Sequence, residues 1–207
     1  MKPLLQFSDV TYETITRLSF TLEEGEIAVL KTATGKDKAN VMELALGETA
    51  TEEGSILFRG KALEASPLGS IGWIPSNGGL IGNLKAWENI TLPLWYHGKR
   101  IPDATEEIVS RWLHIVEPDT HKWVDFMASP SARLGMRERK LVGLLRGLVL
   151  APQLLVTDAA LFDNIDQYDS HSWKTALELF VQEADDRSVL IVSDGTTSLN
   201  WKIIGDK

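Results

Sequence analysis

The stretch IAVLKTATGKDKANVMELAL, Ile27–Leu46, runs from a short apolar segment through a loop of small residues to Gly35 and Lys36. It continues with Val41, Leu44 and Ala45 at helical spacing and stops at Gly47, a residue suited to a helix C-terminus. Strand, small-residue loop, Gly-Lys and helix is the layout of a phosphate-binding loop. Free N–H groups and the positive dipole end of the helix attract an anion, and the lysine reaches its outer phosphates. Against the pattern G-x-x-x-x-G-K-S/T, Gly35 and Lys36 match. Leu30 stands at the first glycine and Asp37 at the hydroxyl residue that would hold magnesium. Gly-Lys before a helix is common, so an ordinary strand-to-helix turn is the simpler reading of this stretch taken alone.

Asp37 changes the chemistry of such a loop. A carboxylate in the first helical turn takes the anion's place at the dipole and repels a triphosphate at contact distance. Leu30 and Ala33 add side chains where glycine lets backbone approach phosphate closely. Weak or absent nucleotide and magnesium binding is the expectation, which leaves the cofactor undetermined.

Outward from the loop, apolar strands alternate with helices. Leu4–Val10, Thr16–Leu22 and Ser55–Arg59 read as strands, as do Ile71–Ile74, Leu154–Thr157 and Ser188–Val192. Ser76–Gly82 is a glycine-rich loop, and residues from 84 to about 143 look mainly helical, with Ile108, Trp112, Ile115 and Val116 on one face. Helices are read at Leu141–Leu150 and Trp173–Glu183, and Ser129–Ala132 is the loosest stretch. The alternation predicts an α/β fold with a parallel sheet. A helical lobe of about residues 84–140 is inserted into a single domain spanning 1–207.

Composition narrows the function. Of 207 residues, 43% are hydrophobic and the net charge is −8, an acidic balance that argues against non-specific nucleic-acid binding. With no cysteine, thiolate catalysis and cysteine metal sites are excluded. The N-terminus does not read as a signal peptide, and no run of about 18 apolar residues occurs, so any membrane role runs through another chain. The four histidines, at positions 97, 114, 121 and 171, lack metal-ligand spacing and read as scattered surface residues.

Seven ordered segments resemble the ABC-transporter ATP-binding subunit family. They are LSFTLEEGEI (Leu18–Ile27), GSILFRG (Gly54–Gly60), IGWIPS (Ile71–Ser76), NLKAWENITLPL (Asn83–Leu94), ARLGMRER (Ala132–Arg139), LLRGLVLAPQLLVTD (Leu144–Asp158) and VLIVSD (Val189–Asp194). The resemblance implies a P-loop NTPase-like α/β fold, a mainly parallel sheet with an antiparallel N-terminal β portion and the inserted helical lobe. It also implies nucleotide contacts at Gly35, Lys36, Asp37, Lys38, Ser76, Gly135 and Asp158, with Asp158 the candidate magnesium carboxylate. Several of these depart from the family pattern. Where the family has a glutamate that polarises the attacking water, this chain has Ala159, whose methyl group can neither accept a proton nor orient water. Asp194 stands at the switch histidine, and Ser76 at a glutamine. Arg133 and Leu134 stand at the signature serine and first glycine. Tyr12 lies two residues from the place of the adenine-stacking aromatic, so that role is not carried over.

Most of these positions have a functional and a structural reading. Lys36 is a phosphate ligand or a solvated helix-start lysine. Asp158 is a metal carboxylate or a structural one, and Asp194 pairs with a cation that the sequence does not name. Arg133 contacts a facing subunit's phosphates or is a surface arginine. Trp87, Leu92, Leu94, Trp95 and Tyr96 begin the helical lobe, where the family receives a permease helix. Each alone is ordinary core, while together they form the candidate contact. Trp201 is a second candidate anchor, and Asp163–Asp166 resembles the loop that crosses the dimer interface.

The resemblance therefore implies a catalytically degenerate ATP-binding-type subunit. It would be cytoplasmic and peripheral on the inner face of the membrane, partnered by a permease and a second ATPase subunit and binding no nucleic acid. Within the family, the Asn83–Leu94 and Gly135–Arg139 stretches resemble the phospholipid-transport (Mla or Mce-associated) group, with the lipoprotein-release and cell-division ATPases next, and the first implies lipid cargo. The rival expectations are a weakly active ATPase and a free-standing binding module. The chain ends soon after the last expected strand, and no regulatory extension is read.

Overall fold

Alternating apolar residues build two long antiparallel strands, β1 (Pro3–Tyr12) and β2 (Ile15–Glu23), in which Phe7 faces Phe20. The two rings stack with centroids 4.4 Å apart. After β3 (Ile27–Lys31) and helix α1 (Gly35–Leu46), strand β4 (Glu53–Phe58) returns to pair with β1, and β5 (Lys61–Ala62) closes the edge. The order β2-β1-β4-β5 is the expected antiparallel portion. The structure is a computed structural model that describes residues 2–63, 69–98, 102–195 and 199–205.

The second sheet holds β6 (Ile71–Ile74), β7 (Leu154–Asp158), β8 (Ser188–Ser193) and β9 (Lys202–Ile204), in the order β6-β7-β8-β3-β9. Strands β7, β8, β3 and β9 run parallel. Register aligns their C-terminal ends, because Val192 faces both Leu30 and Asp158. Leu30, Val156 and Val192 are fully buried on this sheet. They pack in one cluster with Leu4, Phe7, Leu22, Val41 and Leu44, so the two sheets and α1 share a core.

The remaining helices are α2 (Ala86–Tyr96), α3 (Pro102–Val116), α4 (Trp123–Ala128), α5 (Met136–Leu150) and α6 (Gln167–Gln182). The chain divides into two compact units: residues 1–73, 153–159 and 181–207, and residues 74–152 and 160–180. The second unit therefore takes in all of α5 and most of α6, beyond the predicted lobe boundary near 140. Trp112, Val116, Leu144, Leu145 and Trp173 are buried in this second unit.

Several local expectations need correction. Helix α1 starts at Gly35, well ahead of the apolar spacing that begins at Val41, because Thr34 caps it by accepting the Asp37 N–H at 3.1 Å. Helix α5 starts at Met136, where Glu138 reaches back to the Gly135 N–H at 2.8 Å. Helix α6 starts at Gln167, capped by the Asp166 carboxylate on the Asp169 N–H at 2.8 Å. Ser129–Ala132 is not loose: the fully buried Ser131 hydroxyl sits between the carbonyls of Ile81 and Leu84, 2.6 and 2.8 Å away, with its one proton to donate to either. Strand β9 is too short, at three residues, to leave a periodic signal.

Candidate functional site

The first unit gathers five of the seven sequence-predicted nucleotide residues: Gly35, Lys36, Asp37, Lys38 and Asp158. Strand register explains why. β7 and β8 end together, so Asp158 and Asp194 lie side by side, and α1 begins above them. Open α/β sheets gather ligands at this end of their strands.

Lys38, in the first turn of α1, reaches both strand ends. Its Nζ stands 3.0 Å from Asp158 Oδ2 and 3.0 Å from Asp194 Oδ1. The Lys38 side chain is 16% exposed, as is 14% of Asp158 and 39% of Asp194. Burial pulls the Lys38 pKa down, but the hydrogen bonds to the two carboxylates outweigh it and hold the ammonium above its ordinary value. The Lys38 hydrogen bond in turn holds the Asp194 carboxyl below the usual range. Lys38 is thus the cation that Asp194 lacked in the sequence. Asp194 also leans over the loop: a Cβ placed on Gly35 would come within 3.1 Å of its Oδ2.

The loop itself is stapled. The Thr32 N–H donates to the Ser193 carbonyl at 2.8 Å, and the Thr32 hydroxyl faces the same oxygen at 3.2 Å. Asp37 receives the hydroxyls of Thr14 and Thr34, the latter at 2.9 Å, and these bonds depress its pKa. Lys36 turns to Glu13 on the β1–β2 turn, with Nζ 2.9 Å from Oε2. This pair raises the Lys36 pKa and lowers that of Glu13. With 62% of the lysine side chain exposed, it is a surface pair of small energetic weight. Glu13, Thr14 and Lys38 carry these contacts. For Lys38 the available signal was a lysine one residue past Asp37 in a first helical turn, between two strand-end carboxylates.

The other two predicted nucleotide residues lie in the second unit. Ser76 is half-buried in the loop after β6, and Gly135 is the N-cap of α5. Arg133 is exposed at the end of a short 3-10 turn. Asp166 is exposed but serves as a helix cap. In the partner cluster, Trp95 and Tyr96 are exposed at 56% and 77%, whereas Leu94, at 6%, is core. Leu94 is therefore withdrawn from the contact set, because it lies on the inward side of α2 with Ile90. Trp87 and Leu92 are half-buried, as is Trp201, which is not an exposed anchor. A cleft of ≈ 630 Å³ lies at the start of α5, lined by Arg137, Met136, Tyr168 and Asp169 among others. Among the described residues no cluster of three or more metal-ligating side chains occurs, and no helix is long and apolar enough to cross a membrane.

A phosphate-loop layout at the C-terminal edge of a parallel sheet, beside an antiparallel sheet and helices, defines an α/β protein of the P-loop NTPase type. The family described as ABC transporter matches residues 15–161, and the chain belongs to that family.

Solved structures agree on the fold. An ATP-binding subunit of an ABC transporter superposes with a TM-score of 0.77 at 18% identity, covering 92% of this chain and 79% of that one. A dimeric ATP-binding cassette in a post-hydrolysis state with ADP and Pi gives 0.76 at 18% identity, covering 92% and 88%. Among curated relatives, the sulfate/thiosulfate import ATP-binding protein CysA of Bacillus cereus is 25% identical over 72% of this chain and 42% of its own length. The formylaminopyrimidine import ATP-binding protein ThiZ of Halalkalibacterium halodurans is 26% identical over 93% of this chain and 74% of its own length. The taurine import ATP-binding protein TauB of Shigella boydii is 27% identical, covering 86% and 66%.

Proposed function

We propose that this chain is a catalytically degenerate ATP-binding-type subunit of an ABC transporter that acts as a structural or regulatory partner of a membrane permease. The observation that carries this reading is the Lys38 ammonium, 3.0 Å from both Asp158 and Asp194. On this reading the residues present do not fit a magnesium nucleotide. The oxygens that would face a hydrated magnesium hold an ammonium instead, and Asp37 carries negative charge into the helix start. Ala159 follows Asp158 with no group to orient water. The family's location supports a peripheral place on the cytoplasmic face, with a second ATP-binding subunit as partner. Lipid as cargo rests on the Asn83–Leu94 and Gly135–Arg139 stretches alone, and the scaffold role does not depend on it.

The test is magnesium-dependent ATP hydrolysis by the purified chain, together with titration of labelled ATP with and without magnesium. Turnover at background and no saturable binding are expected; robust magnesium-dependent turnover overturns the proposal. One observation favours a weaker version, in which nucleotide binds without hydrolysis. The Lys36–Glu13 pair is exposed and screened by solvent, so Lys36 can leave Glu13 for a phosphate at little cost. Lys36→Ala separates the two versions, because only the binding version loses ATP affinity on that change.

A further inference from the structure

We infer that Lys38 is a built-in lock: its ion pairs with Asp158 and Asp194 hold the loop of residues 32–38 against the strand ends, so that the loop keeps one conformation whatever the nucleotide supply. The inference deepens the reading above and rests on it in one respect, that nucleotide does not itself order the loop.

Three independent contacts converge on the same loop. Lys38 ties the first turn of α1 to β7 and to the residue after β8. Thr32 ties the loop's start to Ser193 through its backbone N–H at 2.8 Å. The third is on the outer side, where Thr14 donates to Asp37 and the Asn40 amide lies 3.3 Å from the Thr14 hydroxyl, joining the β1–β2 turn to α1. The Lys38 contact differs in kind from the other two. It is the only one of the three that joins opposite charges at two strand ends, with little solvent at Lys38 and Asp158, and charge-assisted hydrogen bonds are the strong ones. Without the ammonium, Asp158 and Asp194 lose the positive charge they share, and each repels the other. Local opening follows, because a segment's free energy of opening is set by the contacts it alone makes.

Hydrogen exchange on the full chain tests this, read at the amides of residues 37 and 38, whose N–H groups bond to Thr34. In Lys38→Met these amides are expected to exchange faster by about 10-fold or more, the consequence of losing charge-assisted bonds, while the buried β8 amides keep their rates. Asp194→Asn keeps the Asp158 pair and is expected to give a smaller acceleration, which preserves the test if the Met variant does not fold. In the wild-type chain, magnesium-ATP is expected to leave the loop's exchange unchanged. Unchanged loop exchange in both variants overturns the lock, as does slowing of wild-type loop exchange by magnesium-ATP. The functional proposal fails on a separate readout, ATP turnover, so the two failures are distinguishable.

Discussion

The Arg137 guanidinium grips Asp169 through two nitrogens, with Nη2 2.6 Å from Oδ1, and the same Nη2 lies 2.9 Å from Glu117 Oε2. The two ends are buried unequally: 1% of the Asp169 side chain is exposed and 37% of Arg137. The Asp169 bond comes first among the causes that raise the Arg137 pKa, ahead of the opposing effect of burial. This asymmetry sets the direction of the mutational effects. Arg137→Met strands a buried carboxylate, and because the guanidinium it removes is 37% exposed the expected cost is about 1–3 kcal/mol, the scale for leaving one buried polar group unsatisfied. Asp169→Asn leaves a guanidinium that already reaches water, and costs less. Urea unfolding of the two variants checks the order, and a smaller loss for Arg137→Met than for Asp169→Asn refutes this account.

Acid is expected to weaken the first unit through Asp194 and Asp37. Both carboxyls are held below their ordinary values, Asp194 chiefly by Lys38 and Asp37 chiefly by Thr14. A depressed folded-state pKa contributes stability that is present above the unfolded value of about 3.9 and is lost as pH falls through the folded value. Stability should therefore hold from neutral pH to about 5 and decline below about 4. Asp194→Asn removes one titrating group, so its thermal midpoint should fall less between pH 5 and pH 3 than that of the wild type. Parallel melting curves for the two proteins over that range exclude the assignment to Asp194.

Gly78 and Gly143 pack backbone on backbone in the second unit. A Cβ on Gly143 would lie 2.8 Å from the Gly78 Cα, and a Cβ on Gly78 would lie 2.1 Å from the Arg139 carbonyl oxygen. Gly78 also has φ +85°, a left-handed conformation costly to other residues. Arg146 fastens the same loop by donating to the carbonyls of Gly78 and Gly79 at 2.9 and 2.8 Å. Gly78→Ala should combine strain with the clash and cost about 2 kcal/mol or more. Gly60→Ala supplies the control, since its Cβ would meet nothing within 4 Å although φ is +73°. Equal losses in the two variants would falsify the packing account.

The elements that the sequence exposed most clearly were those whose signal is local. Ile27–Lys31 and Leu154–Asp158 are short apolar runs buried in a parallel sheet, and such runs announce themselves without any partner. Helix starts were read late at Gly35, Met136 and Gln167, because each is fixed by a cap rather than by apolar periodicity. At the site, Gly35, Lys36 and Asp158 were legible because a motif spaces them along the chain. The Lys38–Asp158–Asp194 cluster was not, because its members are brought together only when β7 and β8 align in register. Leu94 was misplaced for a related reason. Its hydrophobicity resembles that of Trp95 and Tyr96, and only the rotation of α2 separates the buried side from the exposed one.

That separation makes a testable distinction within α2. Trp95→Ala and Tyr96→Ala remove exposed aromatic surface, and each should change the thermal midpoint little while weakening co-purification with a permease. Leu94→Ala removes a buried side chain and should cost about 2–5 kcal/mol whether or not a partner is present. Unchanged association in the double Trp95→Ala, Tyr96→Ala variant removes these residues from the proposed contact.

On the proposed reading, a glutamate placed at position 159 should not by itself create an ATPase. Ala159→Glu places a carboxylate directly after Asp158, where the family resemblance puts the group that orients water. Asp158 nevertheless remains paired with Lys38, and Asp194 still places a negative charge beside Gly35. The single variant is therefore expected to hydrolyse ATP no faster than the wild type. Clearing the pocket takes more: Asp37→Ser and Lys38→Ser together with Asp194→His remove the carboxylate at the helix start, the internal cation and the charge over the loop. With Ala159→Glu added, this fourfold variant should bind magnesium-ATP measurably by titration where the wild type does not. An increase in turnover of about 10-fold or more from Ala159→Glu alone, equivalent to about 1.4 kcal/mol in the barrier, would show that one missing base, rather than the Lys38–Asp158–Asp194 cluster, limits the chemistry.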